Sequence, residues 1–257
     1  ITNRQWDEFK AALGVPVTGD PPSAYDEDFY YHGTGTIDVP TNSVSWYEAA
    51  QFVNWLNTST GHQAAYKFTG TQGQSDYTFA TWDAADAWGT TNLYRHKEAF
   101  YFLPDEDEWF KAAYWNGTGI QDYATKAGDT LHQGDGSSGT GWNYYGSGYA
   151  TDPPGPWDVG TGSEELNGTH DMMGNNWEWM ESPWSDPSYG AGSSRGLRGG
   201  NWVNYSYYLH ASSRSIFNPP LEGFNVGFRV ASVPEPGSIT LLVCGAFAGL
   251  LWWRRKK

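Results

Sequence analysis

Residues 116–170 set the first constraint on any fold for this chain. The stretch is rich in Gly, Ser, Thr and Asp, has few aliphatic side chains and shows no strong periodicity. A segment of that length without a period is functional loop or ion-stiffened irregular structure. The chain is nevertheless not disordered: 17% of its 257 residues are aromatic and 39% are apolar, despite 32 Gly. The length allows one domain with a sizeable core or two small ones. A single cysteine excludes an internal disulfide, a Cys-based zinc site and a catalytic cysteine pair. The formal charge of -14 argues against a nucleic-acid partner, which needs a basic footprint.

Order is legible on both sides of that stretch. In RQWDEFKAALG, Trp6, Phe9 and Leu13 follow helical spacing, with Asn3 as the expected cap and Gly14 as the stop. Residues 15–43 read as loop. Ser45 and Glu48 form a capping box that opens the helix SWYEAAQFVNWLN. Residues 58–98 read as mostly polar loop, with a helical turn in TWDAADAWG. Residues 100–103 predict a short strand, and Asp105, Glu106, Asp107 and Glu108 open the helix DEDEWFKAAYW. Four carboxylates in one first turn suit the positive end of the helix dipole. Capping is the favoured reading over paired acid–base work, because adjacent helix positions do not face one another. After Asp171, DMMGNNWEWMESPW restores order, and RGLRGGNWVN and VGFRVAS predict short strands.

The C-terminus is a separate object. Residues 237–253 form a nearly uncharged run of seventeen residues. At about 1.5 Å per residue it spans about 25 Å, enough to cross a hydrocarbon core. Trp252 and Trp253 stand where an interfacial belt would be, and Arg254, Arg255, Lys256 and Lys257 hold the end on the cytoplasmic side. Cys244 lies inside the span. The order Pro234-Glu235-Pro236, apolar span and basic end resembles the PEP-CTERM sorting signal of exported bacterial proteins. That resemblance implies a transient inner-membrane anchor processed by an exosortase, and a final place at the cell surface or in extracellular matrix. The expected division is a domain over 1–232 and a sorting signal over 233–257. Four of the 15 basic residues and Glu235, one of the 29 acidic, belong to the tail, so residues 1–233 carry a net -17. No export signal precedes Ile1, and the start is expected to be missing or already removed.

Four segments in order resemble the formylglycine-generating enzyme, or sulfatase-modifying factor, family. They are VPTNSVSWYEAAQFVNWLN (39–57), FLPDEDEWFKAAY (102–114), DMMGNNWEWMES (171–182) and RGLRGGNW with GFRV (195–202, 227–230). The resemblance covers essentially 1–232. It implies an α+β, loop-rich, C-type-lectin-like fold, to which the tail would add one transmembrane helix.

The same resemblance implies chemistry that these residues supply only in part. The family oxidises a substrate cysteine with O2 and a copper ion held by two cysteines after Arg-Gly-Gly. Here those positions are Asn204 and Leu209, and neither supplies the thiolate that Cu(I) needs. No copper is expected, and catalytic residues are assigned to none. A sister branch uses a His-rich iron site. Here His32, His62, His96, His132, His170 and His210 are scattered, without a His-x3-His pair. A structural calcium ion is expected at Asp171 and Glu178 through side chains and at Gly174 and Asn176 through main-chain carbonyls, an all-oxygen set with two anions. A second family calcium site would begin near Asn143, but 143–158 does not align cleanly.

The former catalytic cleft yields the remaining candidates. Trp202, Asn204, Tyr205, Tyr207, Tyr208 and Arg214 are the expected ligand-binding residues. For Arg198, Arg214 and Arg229, ion pairs with carboxylates are the favoured structural role. Gly192-Ser193-Ser194-Arg195-Gly196 matches a nucleophile elbow in letters, but the flanking sequence reads as a polar turn. The leading expectation is an exported, non-oxidase module for an extracellular glycan or protein. The alternatives are an enzyme of different mechanism in the same cleft, a structural component of an extracellular polysaccharide layer, and a hypervariable lectin-like binder. For the last, ordinary drift in a non-catalytic cleft is the preferred account.

Overall fold

Among the described residues, each of the three α-helices opens on a closed capping box. The computed structural model describes residues 1–17, 37–185 and 189–233. Helix α1 is Asn3–Leu13; its cap is Thr2, one residue before the expected Asn3, because the Thr2 hydroxyl accepts from Gln5 N while Gln5 Oε1 accepts from Thr2 N. Gly14 ends it in the left-handed region at φ 68°. Helix α2 (Trp46–Ser59) has the expected Ser45–Glu48 box, with distances of 3.2 and 2.7 Å.

Short strands follow: β1 Lys67–Thr69, β2 Thr78–Ala80, β3 Ala87–Trp88, β4 Asn92–His96 and β5 Tyr101–Phe102. The expected turn in TWDAADAWG thus ends in a strand. Helix α3 is Glu106–Tyr114, capped by Asp105 and Glu108. Between Tyr114 and Trp177 there is no further helix or strand, only isolated bridges. The last strands are β6 Trp177–Pro183, β7 Arg195–Arg198, β8 Ser215–Phe217, β9 Val226–Gly227 and β10 Ala231–Ser232. The main sheet has the order β8-β7-β6-β9, with β9 parallel to β6 and the other pairs antiparallel. Pairs β1–β2, β3–β4 and β5–β10 complete a mixed α/β fold.

Aromatic rings fill the interior. Trp6, Phe9, Trp46, Phe52, Tyr66, Phe79, Tyr94 and Trp179 are buried in one cluster; Trp109, Tyr114, Trp142, Met172, Met173 and Met180 form a second. A buried indole needs an acceptor for its N–H. Trp46 donates to Met180 O (3.1 Å) and Trp179 to Val44 O (2.8 Å), so each also ties helix α2 and its lead-in to β6.

The four carboxylates of α3 do more than cap. Glu108 accepts two bonds from Arg95 on β4, at 3.0 and 2.7 Å, and Arg95 also pairs with Glu181 on β6. The Glu181 side chain is wholly buried and takes further bonds from the Tyr66 hydroxyl (2.8 Å) and Asn92 Nδ2. Burial, then the Glu181 charge, holds the Tyr66 hydroxyl protonated well above its ordinary range.

Pro234, Glu235, Pro236 and the span 237–253 lie outside the described residues. Among the described residues no helix is long and apolar enough to cross a membrane.

Removing Arg95 leaves the Glu181 anion buried without its counter-charge. Arg95→Met is expected to cost about 3–5 kcal/mol in urea unfolding. Arg4→Met, at the half-exposed Arg4–Asp38 pair, should change stability by no more than about 1 kcal/mol. Equal losses would show that the buried network carries no special weight.

Candidate functional site

Two loops meet at the end of β6, and both depend on left-handed backbone. In the first, Asp171, Gly174 and Asn175 have φ of 57°, 79° and 61°. Asp and Asn tolerate this region better than other side chains. Gly174 is required for a second reason: a Cβ there would lie 2.2 Å from Asn143 O. Asn175 then ties three segments together. Its side chain accepts from Trp157 N (3.0 Å) and Asn143 Nδ2 (3.2 Å), and its carbonyl accepts from Trp202 N (3.1 Å).

Of the expected calcium residues, Asp171, Asn176 and Glu178 line one small cavity of about 170 Å³, together with His170, Asn175 and Arg229, whereas Gly174 is not part of that lining. The Asp171 carboxylate accepts from Trp157 Nε1 (3.0 Å) and Gly160 N (2.7 Å), and burial raises its pKa. Glu178 accepts from Trp109 Nε1 (2.6 Å) and is paired with Arg229, which also donates to the carbonyls of His170 and Asp171. Arg229 therefore already neutralises one of the two anions. The Asn176 side chain is buried there with neither polar atom partnered. A buried amide without partners is costly and points to a missing one. The Asp171 carboxylate and the unpartnered Asn176 amide oxygen suit a hard cation such as calcium. Among the described residues no three His, Cys, Asp or Glu side chains group as metal ligands, so any ion here would depend on carbonyl and amide oxygens.

The second loop begins at Gly199 and Gly200, with φ of 98° and 73°. A Cβ on Gly200 would meet Leu209 Cδ1 at 2.9 Å, so this tight reversal admits only glycine. The segment that follows is pinned from inside: Asn204 O accepts from Tyr145 N (2.7 Å), and Leu209 O from the Tyr114 hydroxyl (3.0 Å). Leu209 is fully buried. Between these pins, Tyr205 and Tyr207 are 52% and 59% exposed, with rings 6.1 Å apart and 18° from parallel. Tyr208 packs against Tyr207 with ring centres 4.3 Å apart and planes tilted by 36°, and meets Trp177 edge-on at 6.1 Å. Trp202 is buried at the base, against Tyr149 (5.7 Å) and Phe224 (6.1 Å), both of which are exposed. Tyr145 joins Tyr149 to Tyr205.

The structure thus brings Trp202, Asn204, Tyr205, Tyr207 and Tyr208 into one aromatic surface. Arg214 departs from that expectation. Its guanidinium pairs with Glu106, lies 4.1 Å from the Trp184 ring and lines a different recess with Asp105 and Asp107. Arg198 shares the same Glu106, so the ion-pair role holds for Arg198, Arg214 and Arg229 alike. Ser194, the serine of that motif, leads directly into strand β7 rather than a helix, and its hydroxyl donates to Asn218 Oδ1 (2.8 Å), which removes the nucleophile-elbow geometry. The neighbouring Arg195 is buried 4.3 Å from the Trp46 ring and 3.9 Å from Tyr94, a core cation–π contact.

With this geometry in view, comparison with known proteins is decisive for the family. The model of the sulfatase-modifying factor enzyme 1-like domain matches residues 1–233. The chain belongs to that family. Similar solved structures include Treponema denticola variable protein 1 (20% identity, TM-score 0.60, covering 91% of this chain and 82% of that one). CarF is similar at 22% identity and TM-score 0.60, covering 91% and 84%. PvdO from Pseudomonas aeruginosa is similar at 19% identity and TM-score 0.56, covering 91% and 78%. At these identities the likeness shows the fold alone, the C-type-lectin-like fold of the family. No curated protein matches the chain.

Sequence reading missed Asn175, Tyr145, Tyr149 and Phe224, all in or near the family's irregular loops. It also missed Glu165. This carboxylate is fully buried and accepts four bonds, from Trp142 Nε1, Met173 N, Met172 N and Thr169 Oγ1, at 3.0–3.2 Å. Glu165 thereby holds the start of the 171–178 loop. Burial outweighs these donors and pushes its carboxyl up to about 8.

The pH dependence follows. The folded state keeps a proton on Glu165 that the unfolded chain, with a pKa of about 4.3, has released. Stability is therefore expected to fall as pH rises through the window from about 5 to about 8. Melting curves across that window, run with EGTA so that no cation biases the group, should show this decline. Glu165→Gln, uncharged throughout, should flatten this part of the slope; an identical slope in the variant would rule out Glu165 as its source.

Proposed function

We propose that this chain is an exported, surface- or matrix-associated binding module whose former catalytic cleft serves as the contact surface. The observation that carries the reading is the segment after Gly200. It holds no thiolate at the two positions where the family mechanism needs copper, and it turns Tyr205 and Tyr207 outward instead. Tyrosine gives large contact area at low entropic cost and dominates many recognition surfaces. Exposed Tyr149 and Phe224 widen the apolar area, as expected of an interaction site. An extracellular glycan, whose ring faces stack on aromatics, or a protein would fit such a surface.

Calcium is the proposed structural ion, held by Asp171 and Glu178 with the Gly174 and Asn176 carbonyls, and with the orphaned Asn176 amide as a further oxygen. It would stiffen the loop that positions Asn175 and hence Trp202. The tail, with Pro234-Glu235-Pro236 followed by 237–253, is read as an exosortase-processed signal. It would anchor the protein in the inner membrane before release to the surface or matrix.

Two measurements test this. Element analysis of residues 1–233 should find calcium and neither copper nor iron, and EGTA should lower the melting temperature; stoichiometric redox metal would turn the reading toward an enzyme. Calorimetry against a panel of soluble oligosaccharides and surface proteins should find a saturable ligand. Tyr205→Ala or Tyr207→Ala should weaken it about tenfold or more, the size of an interfacial hot spot, with unchanged melting temperature. Undiminished binding by both variants would sink the aromatic surface as the site.

A further inference from the structure

A largely apolar concavity lies beside Val233, the last described residue. It has a volume of about 760 Å³ and is lined by Trp88, Phe102, Ala112, Trp115 and Val233, with Lys111 and the Arg95-paired Glu108 as its charged members. Trp88 and Trp115 are 38% and 36% exposed although both are large and apolar. Strand β10 pairs with β5, and Val233 N donates to Phe100 O at 2.9 Å, so the exit point is fixed to this wall.

From Val233 only Pro234, Glu235 and Pro236 precede the apolar run that starts at Gly237. Three extended residues reach about 10 Å. If that run spans a bilayer, the exit face cannot stand farther than this from the lipid surface. We propose that the Trp88–Trp115 face is a lipid-contacting surface that seats the domain on its membrane while the tail is attached; this rests on the anchoring reading above. Tryptophan prefers the headgroup region, where an amphipathic ring finds both phases. The contact is apolar rather than electrostatic, because residues 1–233 carry a net -17 and would be repelled by anionic lipid. The face shares no lining residue with the tyrosine surface.

The test uses the full chain with Cys244→Ser, reconstituted in phosphatidylcholine vesicles. Single cysteines at Trp88, Trp115, Lys111 or Tyr205 carry a nitrobenzoxadiazole label, quenched by shallow doxyl lipid. Lys111 is a surface position, so its label reports even if a tryptophan variant misfolds. Labels at 88, 115 and 111 should be quenched several-fold more than the one at 205, equally at low and high salt. Carbonate-resistant association by residues 1–257, absent for 1–233, reports the anchor separately. An anchored chain with no preferential quenching overturns the lipid face and leaves the anchor standing. No association overturns both. Quenching that needs cationic lipid or vanishes in salt overturns the apolar contact.

Discussion

The Glu181 carboxylate lies wholly buried between the Arg95 guanidinium, the Tyr66 hydroxyl and the Asn92 amide, and through Arg95 it reaches Glu108 at the start of α3. That one group fastens β4, α3 and β6 to each other. A fold with few ladders cannot satisfy its buried donors by backbone pairing alone. Here side-chain acceptors take over: Glu181 for β4 and α3, Glu178 for Trp109 and Arg229, Glu165 for Trp142 and the loop that follows. Each is costly to bury and each is answered by several donors, which makes the arrangement specific rather than merely stable.

The helices and the family were legible because their determinants are local. A capping box is four residues wide, and each family segment is a short, contiguous string. Even so, the α1 cap moved from Asn3 to Thr2, since both can cap and only Thr2 has Gln5 in reciprocal position. The carboxylate network was not legible. Arg95 and Glu181 are separated by 86 residues, and nothing in either neighbourhood marks a partner.

The candidate site divides in the same way. Trp202, Tyr205, Tyr207 and Tyr208 could be placed together because they occupy one short segment behind a glycine pair. Tyr145, Tyr149 and Phe224 complete the same surface from segments that have no period and no motif, so only the folded chain reveals them. Arg214 follows the tyrosines in sequence, yet Glu106 draws it elsewhere, because a carboxylate shared with Arg198 fixes where that guanidinium can rest.

The double-glycine reversal has an evolutionary consequence. Its backbone strain is absorbed by Gly199 and Gly200, and the segment beyond is held through the Asn204 and Leu209 carbonyls and a buried Leu209 side chain. None of these anchors involves the side chains at 205 and 207. Mutational tolerance is thereby concentrated at 205 and 207, where side chains can change without spending folding stability. The flanking glycines and Leu209, by contrast, are the positions that must stay constant.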